Sequence, residues 1–536
     1  MESLPNELLI ECFQYLNANE LFQSFNRLNH RLNQLIREIR LCVDVSKTNF
    51  EEINKNQIYS LTLSNRNQCQ IDFYLSANYS QLQYLTLIEV KKYNLPKIKS
   101  ILPILTQLYC FRLIDSLHLN EQILSIVPIR QLRLLTIDKL FSKVRIFYDI
   151  SSIVSLTLSS CKINELIRIF HLAVNLKYIQ INRLAHVWYM LIEKIQDSRQ
   201  AIHLNELVIK DYLSNFENLS IILEKTPHLR YLTISSHVFE LINAQQWENL
   251  LNSSTPYLHR FQFSFEHRCI PDREELVKKI NEFQSDFWLK KHQWPVNYIF
   301  TDDWTWIYTL PCLEQNFVLR KESNVIISNQ AKLESIRHLS MNLDAIVDQT
   351  NFSFPNIETL TIKDHRDGRY LIETDFRFIQ NFVHLSNVKH LNYKCNFSST
   401  RFLMLVDLIK QLPNLSSIVI DREIMRSFVE NHELMIYLNK KIRKLELYNN
   451  VSSNDIEKFS NLEQLTCLCD DQQWLETVFE RLVYLSRINF KFGKVISQWP
   501  RSWFQEQENN FHIKLFHDVE QRDNYEYSIW IIREFD

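Results

Sequence analysis

Apolar and polar residues alternate in a short pattern that recurs along most of the chain. The pattern is apolar-x-x-apolar-x-apolar, and its sixteen occurrences start about 20 to 31 residues apart, except across one break between Leu258 and Ile336. Alternation with a period of two predicts a β-strand with one buried face. The occurrences start at Ile58, Leu82, Leu108, Leu132, Ile153, Leu176, Leu204, Leu229, Leu258, Ile336, Ile357, Val388, Leu415, Ile442, Leu462 and Leu485. The chain is therefore expected to contain a long series of short strands.

Between these strands, apolar residues are spaced three and four positions apart, as in amphipathic helices. Such helices are predicted at 164–174, 217–224, 401–412 and 474–483. Proline cannot continue a helix, so it fixes the end of a helix before the next strand. The prolines in this place are Pro227, Pro256, Pro355 and Pro413. The period and the strand pattern resemble those of leucine-rich repeats. The resemblance implies an α/β fold, a solenoid with a curved parallel sheet and outer helices.

A different pattern opens the chain, where short amphipathic helices are predicted before the first repeat. Pro5 suits the first turn of a helix, because its missing N–H has no partner there in any case. Asn17 and Glu20 have the spacing of a capping box, which starts a second helix. Asn29 then precedes a third apolar series. The order of motifs resembles an F-box, and the motifs are Leu4-Pro5-x-Glu7-Leu8-Leu9, Glu20-Leu21 and Leu28-Asn29-x-Arg31.

The F-box resemblance implies a function in protein degradation. An F-box protein with leucine-rich repeats is the substrate-recognition subunit of a Skp–cullin–F-box ubiquitin ligase. The residues that align with adaptor contacts in that family are Leu4, Pro5, Leu8, Leu16 and Leu21. The implied partners are a Skp-family adaptor, a cullin bound through it, and a target protein held by the repeats. The alternative is a scaffold without a ligase role, in which the first helices only cap the repeats.

The patterns divide the chain into five segments. They are an F-box at 1–45, a first arc of repeats at 46–263, an aromatic-rich insert or degenerate repeats at 264–335, a second arc at 336–492 and a C-terminal cap at 493–536. The segment 264–335 has two interpretations. Its tryptophans either pack as core or form an arm that presents aromatic anchors to a partner. One amphipathic helix is predicted at 273–287, and WTWIY from Trp304 predicts a strand.

Composition excludes several classes of function. Only two residues are glycine, so the glycine-rich loops that hold phosphates cannot be built. The net charge of −2 gives no electrostatic footprint for nucleic acid. The ten cysteines are scattered, without the paired spacing of a zinc site. We therefore expect no metal, no cofactor and no catalytic activity of the chain itself. Without a transmembrane segment or a signal peptide, a cytoplasmic or nuclear protein is expected.

A target is expected to bind the strand residues that alternate with the buried ones. In the first arc these residues are neutral and rich in hydroxyl groups, whereas in the second arc they are more basic. The candidate target-binding residues are His338, Lys363, His390, Lys394, Lys444, Arg487 and Lys491. One hypothesis is that an acidic or phosphorylated peptide binds there. The alternative is a solvated polar face without a dominant site.

Overall fold

The chain forms two compact units, Met1–Val296 and Asn297–Asp536. A computed structural model describes residues 4–16, 18–25, 28–45, 55–65, 71, 79–116, 119–138, 149–185, 200–268, 273–300, 304–319, 326–327, 331–342, 352–363, 376–395, 398–450, 456, 458–468, 472–482, 484–491, 506–507, 513–521 and 525–533. The boundary between the units lies inside the predicted aromatic-rich segment 264–335.

Strands of the first unit pair side by side in parallel, in the order β1-β2-β3-β4-β5-β6-β8-β10-β11-β12. Two short strands, β7 and β9, extend this pairing beside β10. The strands are Leu41–Asp44 (β1), Ile58–Ser64 (β2), Tyr84–Ile88 (β3), Cys110–Ile114 (β4), Leu134–Ile137 (β5), Ser155–Leu158 (β6), Cys161–Lys162 (β7), Tyr178–Ile181 (β8), Leu184–Ala185 (β9), Glu206–Leu213 (β10), Tyr231–Ser236 (β11) and Arg260–Arg268 (β12).

Helices connect these strands, as parallel pairing requires a crossover. The first three precede β1 and are Asn6–Gln14 (α1), Ala18–Phe25 (α2) and His30–Glu38 (α3). The other α-helices of this unit are Leu95–Ile101, Asn120–Leu124, Ile163–Leu172, Phe216–Glu224, Ala244–Ser254 and Arg273–Asn281. Those at 163–172 and 216–224 confirm two of the predicted helices within two residues at each end.

The second unit contains a sheet in the order β15-β18-β20-β21-β22-β23-β24-β25-β27-β26. Pairing is parallel as far as β25, and the last two strands are antiparallel. The strands of this sheet are Asn316–Leu319 (β15), His338–Asn342 (β18), Thr359–Lys363 (β20), His390–Lys394 (β21), Ser417–Ile420 (β22), Lys444–Asn450 (β23), Gln464–Leu468 (β24), Arg487–Lys491 (β25), Ile513–Gln521 (β26) and Tyr525–Arg533 (β27).

Further strands of the second unit lie outside that sheet, and helices connect its later strands. The strands are Val296–Phe300 (β13), Trp304–Thr309 (β14), Ile326–Ile327 (β16), Ala331–Lys332 (β17) and Phe352–Ser353 (β19). The α-helices are Ser399–Lys410, Arg422–Glu430, His432–Lys441 and Gln472–Arg481. β14 confirms the strand predicted from WTWIY, and the helices at 399–410 and 472–481 confirm two predicted helices, each displaced by about two residues.

The repeated apolar positions form the core of both units, because the strand register places equivalent apolar residues of neighbouring strands next to each other. Leu61 of β2 is opposite Leu85 of β3, which is opposite Phe111 of β4, and all three side chains are at most 1% exposed. The same column continues through every later parallel strand of the first unit. Burying side chains of this size stabilises the fold by about 1.5–3 kcal/mol each. The apolar pattern is thus the physical cause of the sheet.

The first apolar residue of several repeats closes the turn that precedes the strand through its backbone N–H. The N–H of Leu229 donates to the carbonyl of Thr226, and Leu258 and Leu415 form the same bond three residues back. Pro227 therefore occupies the second position of a β-turn, where its fixed φ is already correct. Pro355 differs from the prediction, since the short strand β19, and not a helix, comes before it.

The aromatic-rich segment packs as core. Trp288 is 0% exposed and Trp306 is 3% exposed, each within its own unit. Trp288 contacts the rings of Phe261, Phe263 and Phe283 at centroid distances of 6.0, 6.1 and 4.8 Å. The interpretation as an arm with exposed aromatic anchors is therefore wrong for these residues. The helix predicted at 273–287 ends at Asn281, where a short 3-10 turn and then a π-turn follow.

Candidate functional site

The N-terminal helices are held together by one buried stripe and by polar bonds between their ends. Leu9 and Phe13 of α1 are at most 1% exposed, and the ring of Phe13 lies 4.9 Å from that of Phe25. Asn29 caps α3, since its side chain accepts the N–H of Leu32 at 2.8 Å. Arg31 donates to the side chain of Asn6 at 2.8 Å and to the Leu4 carbonyl. The start of α3 is therefore fixed beside the start of α1.

A second stripe of α1 is apolar and open to solvent. Leu8 is 47% exposed and Tyr15 is 83% exposed, while Pro5 and Cys12 are exposed as well. Steps of three, four and three residues place all four on one side of a helix. We refer to Pro5, Leu8, Cys12 and Tyr15 as the apolar stripe. Leu28, which is 64% exposed, precedes α3. Contiguous exposed apolar surface of this kind marks interaction sites more often than isolated residues do.

The structure separates the five predicted adaptor contacts. Pro5 and Leu8 belong to the apolar stripe, and Leu4 and Leu16 are partly buried beside it. Leu21 is 1% exposed, so its side chain belongs to the core of the first unit. Leu21 is therefore not at the surface of the chain on its own, and an adaptor contact at Leu21 stays a prediction. Its helix packs against β1, and the amphipathic face that the sequence shows is covered by the chain itself.

The sheet of the second unit brings the predicted basic residues into register. His338, His390 and Lys444 have exposed side chains and occupy equivalent positions on β18, β21 and β23. The backbone of Arg487 occupies the same position on β25. Thr359, Ser417 and Gln464 fill the strands between. We refer to His338, His390, Lys444 and Arg487 as the basic row.

A second row lies nearer the ends of the strands. Lys363 and Lys394 are directly opposite each other on β20 and β21, and both are exposed. The backbone of Lys491 has the corresponding place on β25, opposite Glu526 of β27. The side chains of Arg487 and Lys491 lie outside the described residues. The sheet therefore brings together all seven predicted target-binding residues, of which five have described side chains.

The basic residues next to these two rows form ion pairs with carboxylates, whereas the described lysines within the rows do not. At the strand starts, Lys389 pairs with Glu358 at 3.3 Å and Arg443 with Glu463 at 3.8 Å. Among the described residues, no ion pair involves Lys363, Lys394 or Lys444. The excess positive charge is thus concentrated on one face of the sheet.

Tyr448 is held in a fixed position beside Lys394, four residues along β23 from Lys444. Its hydroxyl donates to the Asn392 side chain at 2.8 Å, which reaches from β23 to β21 across Val419 of β22. The Nζ of Lys394 lies 4.7 Å from the ring centroid, a distance typical of a cation–π contact. Burial raises the pKa of Tyr448, and the nearby Lys394 partly offsets that effect.

The surroundings of His390 disfavour its charged form. Burial lowers the pKa of His390 first, and the cations Lys444 and Lys389 and the neighbouring His338 lower it further. Glu358 acts in the opposite direction but does not reverse the shift. An anionic ligand on this face would change that balance.

The first unit contains a row of neighbouring tyrosines that the sequence patterns did not group together. The centroid of the Tyr84 ring lies 5.1 Å from that of Tyr59 and 5.9 Å from that of Tyr109, with the rings tilted in both pairs, and Arg40 lies 5.3 Å from the centre of the Tyr59 ring. Burial and a hydrogen bond with Tyr59 raise the pKa of Tyr84 to about 12. The signal in the sequence was a tyrosine within one residue of the start of three successive strands.

A cleft in the first unit lies beside the N-termini of the helices at 216–224 and 244–254. Its lining includes Phe216, Phe239 and Lys279, and it contains no histidine, cysteine or serine. Asn215 and Asn243 cap their own helices, and Lys279 pairs with Glu275 at 2.9 Å. Asn215, Asn243 and Lys279 are therefore engaged within the chain.

The described residues include neither a membrane-spanning helix nor a metal cluster. Within the described part of the chain, no helix is both long and apolar enough to span a bilayer. No cluster of three potential metal ligands occurs among those residues either. Cys467 is buried, and Cys469, the other half of the one close cysteine pair, lies outside them.

The parallel strands and the stacked apolar columns define each unit as mixed α/β and leucine-rich-repeat-like. Neither a model of a protein family nor a curated protein matches this chain significantly. Among solved structures, an internalin from Listeria monocytogenes is 12% identical, over 83% of this chain and 90% of the internalin, with a TM-score of 0.19. A TM-score this low carries no inference, so the class follows from the sheets themselves.

Proposed function

We propose that the protein is a non-catalytic interaction subunit of a Skp–cullin–F-box ubiquitin ligase. In this function α1–α3 attach the chain to a Skp-family adaptor, and through the adaptor to a cullin. The repeats then hold a target protein for ubiquitin transfer. The chain itself supplies proximity and orientation to that reaction, with no chemical group of its own. It would act in the cytoplasm or the nucleus, where such ligases work.

The apolar stripe of α1 is the observation that supports this proposal. A helix that only capped the repeats would need one buried face, and Leu9 and Phe13 already provide it. Leu8 and Tyr15 give the same helix a second apolar face in water. An amphipathic helix that lays such a face into a partner's groove is a common mode of protein recognition.

A second candidate function is a repeat scaffold without a ligase role. The burial of Leu21 favours it, because α2 packs against β1 as a cap on the first repeat would. Both candidates are protein-interaction functions, and they differ in whether the apolar stripe has a partner of the Skp family.

Capture of partners from cell extract by the tagged protein separates the two candidates. The test variant is Leu8→Asp, which places a charge in the centre of the apolar stripe. Leu403→Asp is the matched control, because Leu403 is also a helical leucine and is 63% exposed. The intact protein and the control should retain a Skp-family adaptor and a cullin, and Leu8→Asp should lose both.

Circular dichroism must first give the same spectrum for all three proteins, so that unfolding does not imitate the loss. Capture of neither adaptor nor cullin by the intact protein would favour the scaffold. If Leu8→Asp captured as much adaptor and cullin as the intact protein, the apolar stripe would not be part of the interface.

A further inference from the structure

The basic row has a regular spacing that the sequence does not reveal. Its members occupy every second strand, with a hydroxyl or amide residue on each strand between. Neighbouring strands are about 4.8 Å apart, so consecutive cationic positions are about 9.6 Å apart. The row runs perpendicular to the strands. A ligand with matching charges must therefore run across the sheet and not along its edge.

Few backbone conformations carry side chains on one face at this interval. A polyproline II helix has three residues per turn and rises about 9.3 Å in that turn, so every third side chain faces the same way. A β-strand repeats on one face every two residues, about 6.7 Å. An α-helix approaches the interval at seven residues, about 10.5 Å. Between the first and the third cationic position, the ligand's repeat departs from the spacing of the sheet by about 0.6 Å for polyproline II and about 1.8 Å for the α-helix.

We propose, building on the function proposed above, that the basic row binds an acidic segment in polyproline II conformation with Asp or Glu at every third position. His338, His390 and Lys444 each face one carboxylate. Lys363 and Lys394 form a parallel line of positive charge four residues further along β20 and β21. They strengthen the attraction without setting the interval.

Tyr448 gives this surface an apolar contact that a purely acidic ligand would not need. Asn392 and Lys394 fix its ring, so little conformational entropy is lost when a ligand packs on it. Proline-rich segments dock on aromatic side chains in the same conformation. The ligand is therefore expected to place proline between its acidic residues. Glu446, the acidic residue beside Lys444 on β23, would repel a ligand that carried acid at every position.

The interval can be measured with synthetic peptides and fluorescence anisotropy. One labelled peptide carries Glu at every third position in a proline-rich chain, and a second has the same composition with its Glu residues adjacent. A third is an α-helical peptide with Glu seven residues apart, and a fourth has phosphoserine in place of each Glu of the first. The protein should bind the first peptide at least tenfold more tightly than the second and the third.

Charge reversal identifies the surface. Lys444→Glu should weaken binding of the first peptide at least tenfold, because it opposes a carboxylate at the centre of the basic row. Lys410→Glu is the control, since Lys410 is exposed on a helix and pairs with Glu433 at 3.4 Å. It should leave the affinity unchanged. Both variants must give the circular dichroism spectrum of the intact protein.

Three results would overturn the proposal: equal affinity for the first and second peptides, tighter binding of the helical peptide, or an equal effect of both charge reversals. If only the phosphoserine peptide bound, the ligand would carry phosphates and not carboxylates, which would also refute the proposal. Adaptor capture involves a different unit of the chain. A failed titration therefore leaves the adaptor function standing, and a failed capture leaves the peptide titration valid.

Discussion

Replacing Asp138 should reveal how strongly a buried carboxylate stabilises the end of a strand in this chain. Asp138 follows β5 and is 5% exposed. Its Oδ2 accepts the backbone N–H of Ser116 at 2.9 Å, and its Oδ1 accepts the hydroxyl of Ser159 at 3.0 Å. Ser116 is 3% exposed, so its N–H has little access to water once that acceptor is gone.

The magnitude follows from the two bonds. A hydrogen bond to a charged group contributes about 1.5–3 kcal/mol, and an unsatisfied buried donor costs about 1–3 kcal/mol. Ser159 is exposed, so water replaces its bond with little loss. Asp138→Ala should therefore destabilise the first unit by about 2 kcal/mol. Asp138→Asn should cost less than about 1 kcal/mol, because its amide oxygen can still accept the Ser116 N–H.

Hydrogen exchange measured by mass spectrometry is the suitable assay, since two compact units need not unfold in one step. Peptides that contain Ser116 should exchange faster in Asp138→Ala than in Asp138→Asn. Peptides from the second unit should exchange alike in both variants and serve as the internal control. Equal exchange of the Ser116 peptide in the Ala and Asn variants would refute the reasoning.

Three further predictions concern other parts of the molecule. Binding of the acidic peptide should tighten as pH falls from 8 to 6, because a bound carboxylate raises the depressed pKa of His390 and binding then takes up a proton; anisotropy titrations of His390→Gln should show a weaker pH dependence than those of the intact protein. Tyr448→Phe removes the bond to Asn392 and should weaken the same peptide about threefold to tenfold, with an unchanged circular dichroism spectrum. Gln293→Gly should stabilise the first unit by about 0.5 kcal/mol, since Gln293 is exposed with a left-handed φ of 56° that glycine adopts without strain. Urea unfolding measures the change, and an unchanged or lower urea midpoint would contradict the prediction.

The strands and most helices could be predicted because their cause is local. Each apolar-x-x-apolar-x-apolar segment needs only its own residues to define a buried face, and the register then stacks Leu61, Leu85 and Phe111. Repetition helps here, because sixteen weak signals that agree are stronger than any one of them.

The surfaces could be predicted only in part, because an amphipathic stripe does not say what covers it. Leu8 and Leu21 belong to similar apolar patterns, yet Leu8 is 47% exposed and Leu21 is 1% exposed. The difference arises from β1, which packs on α2. Trp288 illustrates the same point, since an aromatic anchor and a core residue have the same identity in the sequence.

The strand ends and the basic row depend on register, which the sequence does not contain. Repeat lengths vary, so the residue that closes a strand end is Asn65 in one repeat and Asp138 in another. His338 and His390 are 52 positions apart in the sequence, yet they lie two strands apart at the same level of the sheet. The sequence predicted a basic face but could not predict its interval.

The most direct test of the adaptor function is the rate at which iodoacetamide alkylates Cys12, with and without a purified Skp-family adaptor. Cys12 lies in the apolar stripe, whereas Cys42, in β1, is also exposed and provides the internal reference. We predict that saturating adaptor slows alkylation of Cys12 at least tenfold relative to Cys42. An unchanged ratio at adaptor concentrations that saturate known F-box proteins would contradict the proposed attachment.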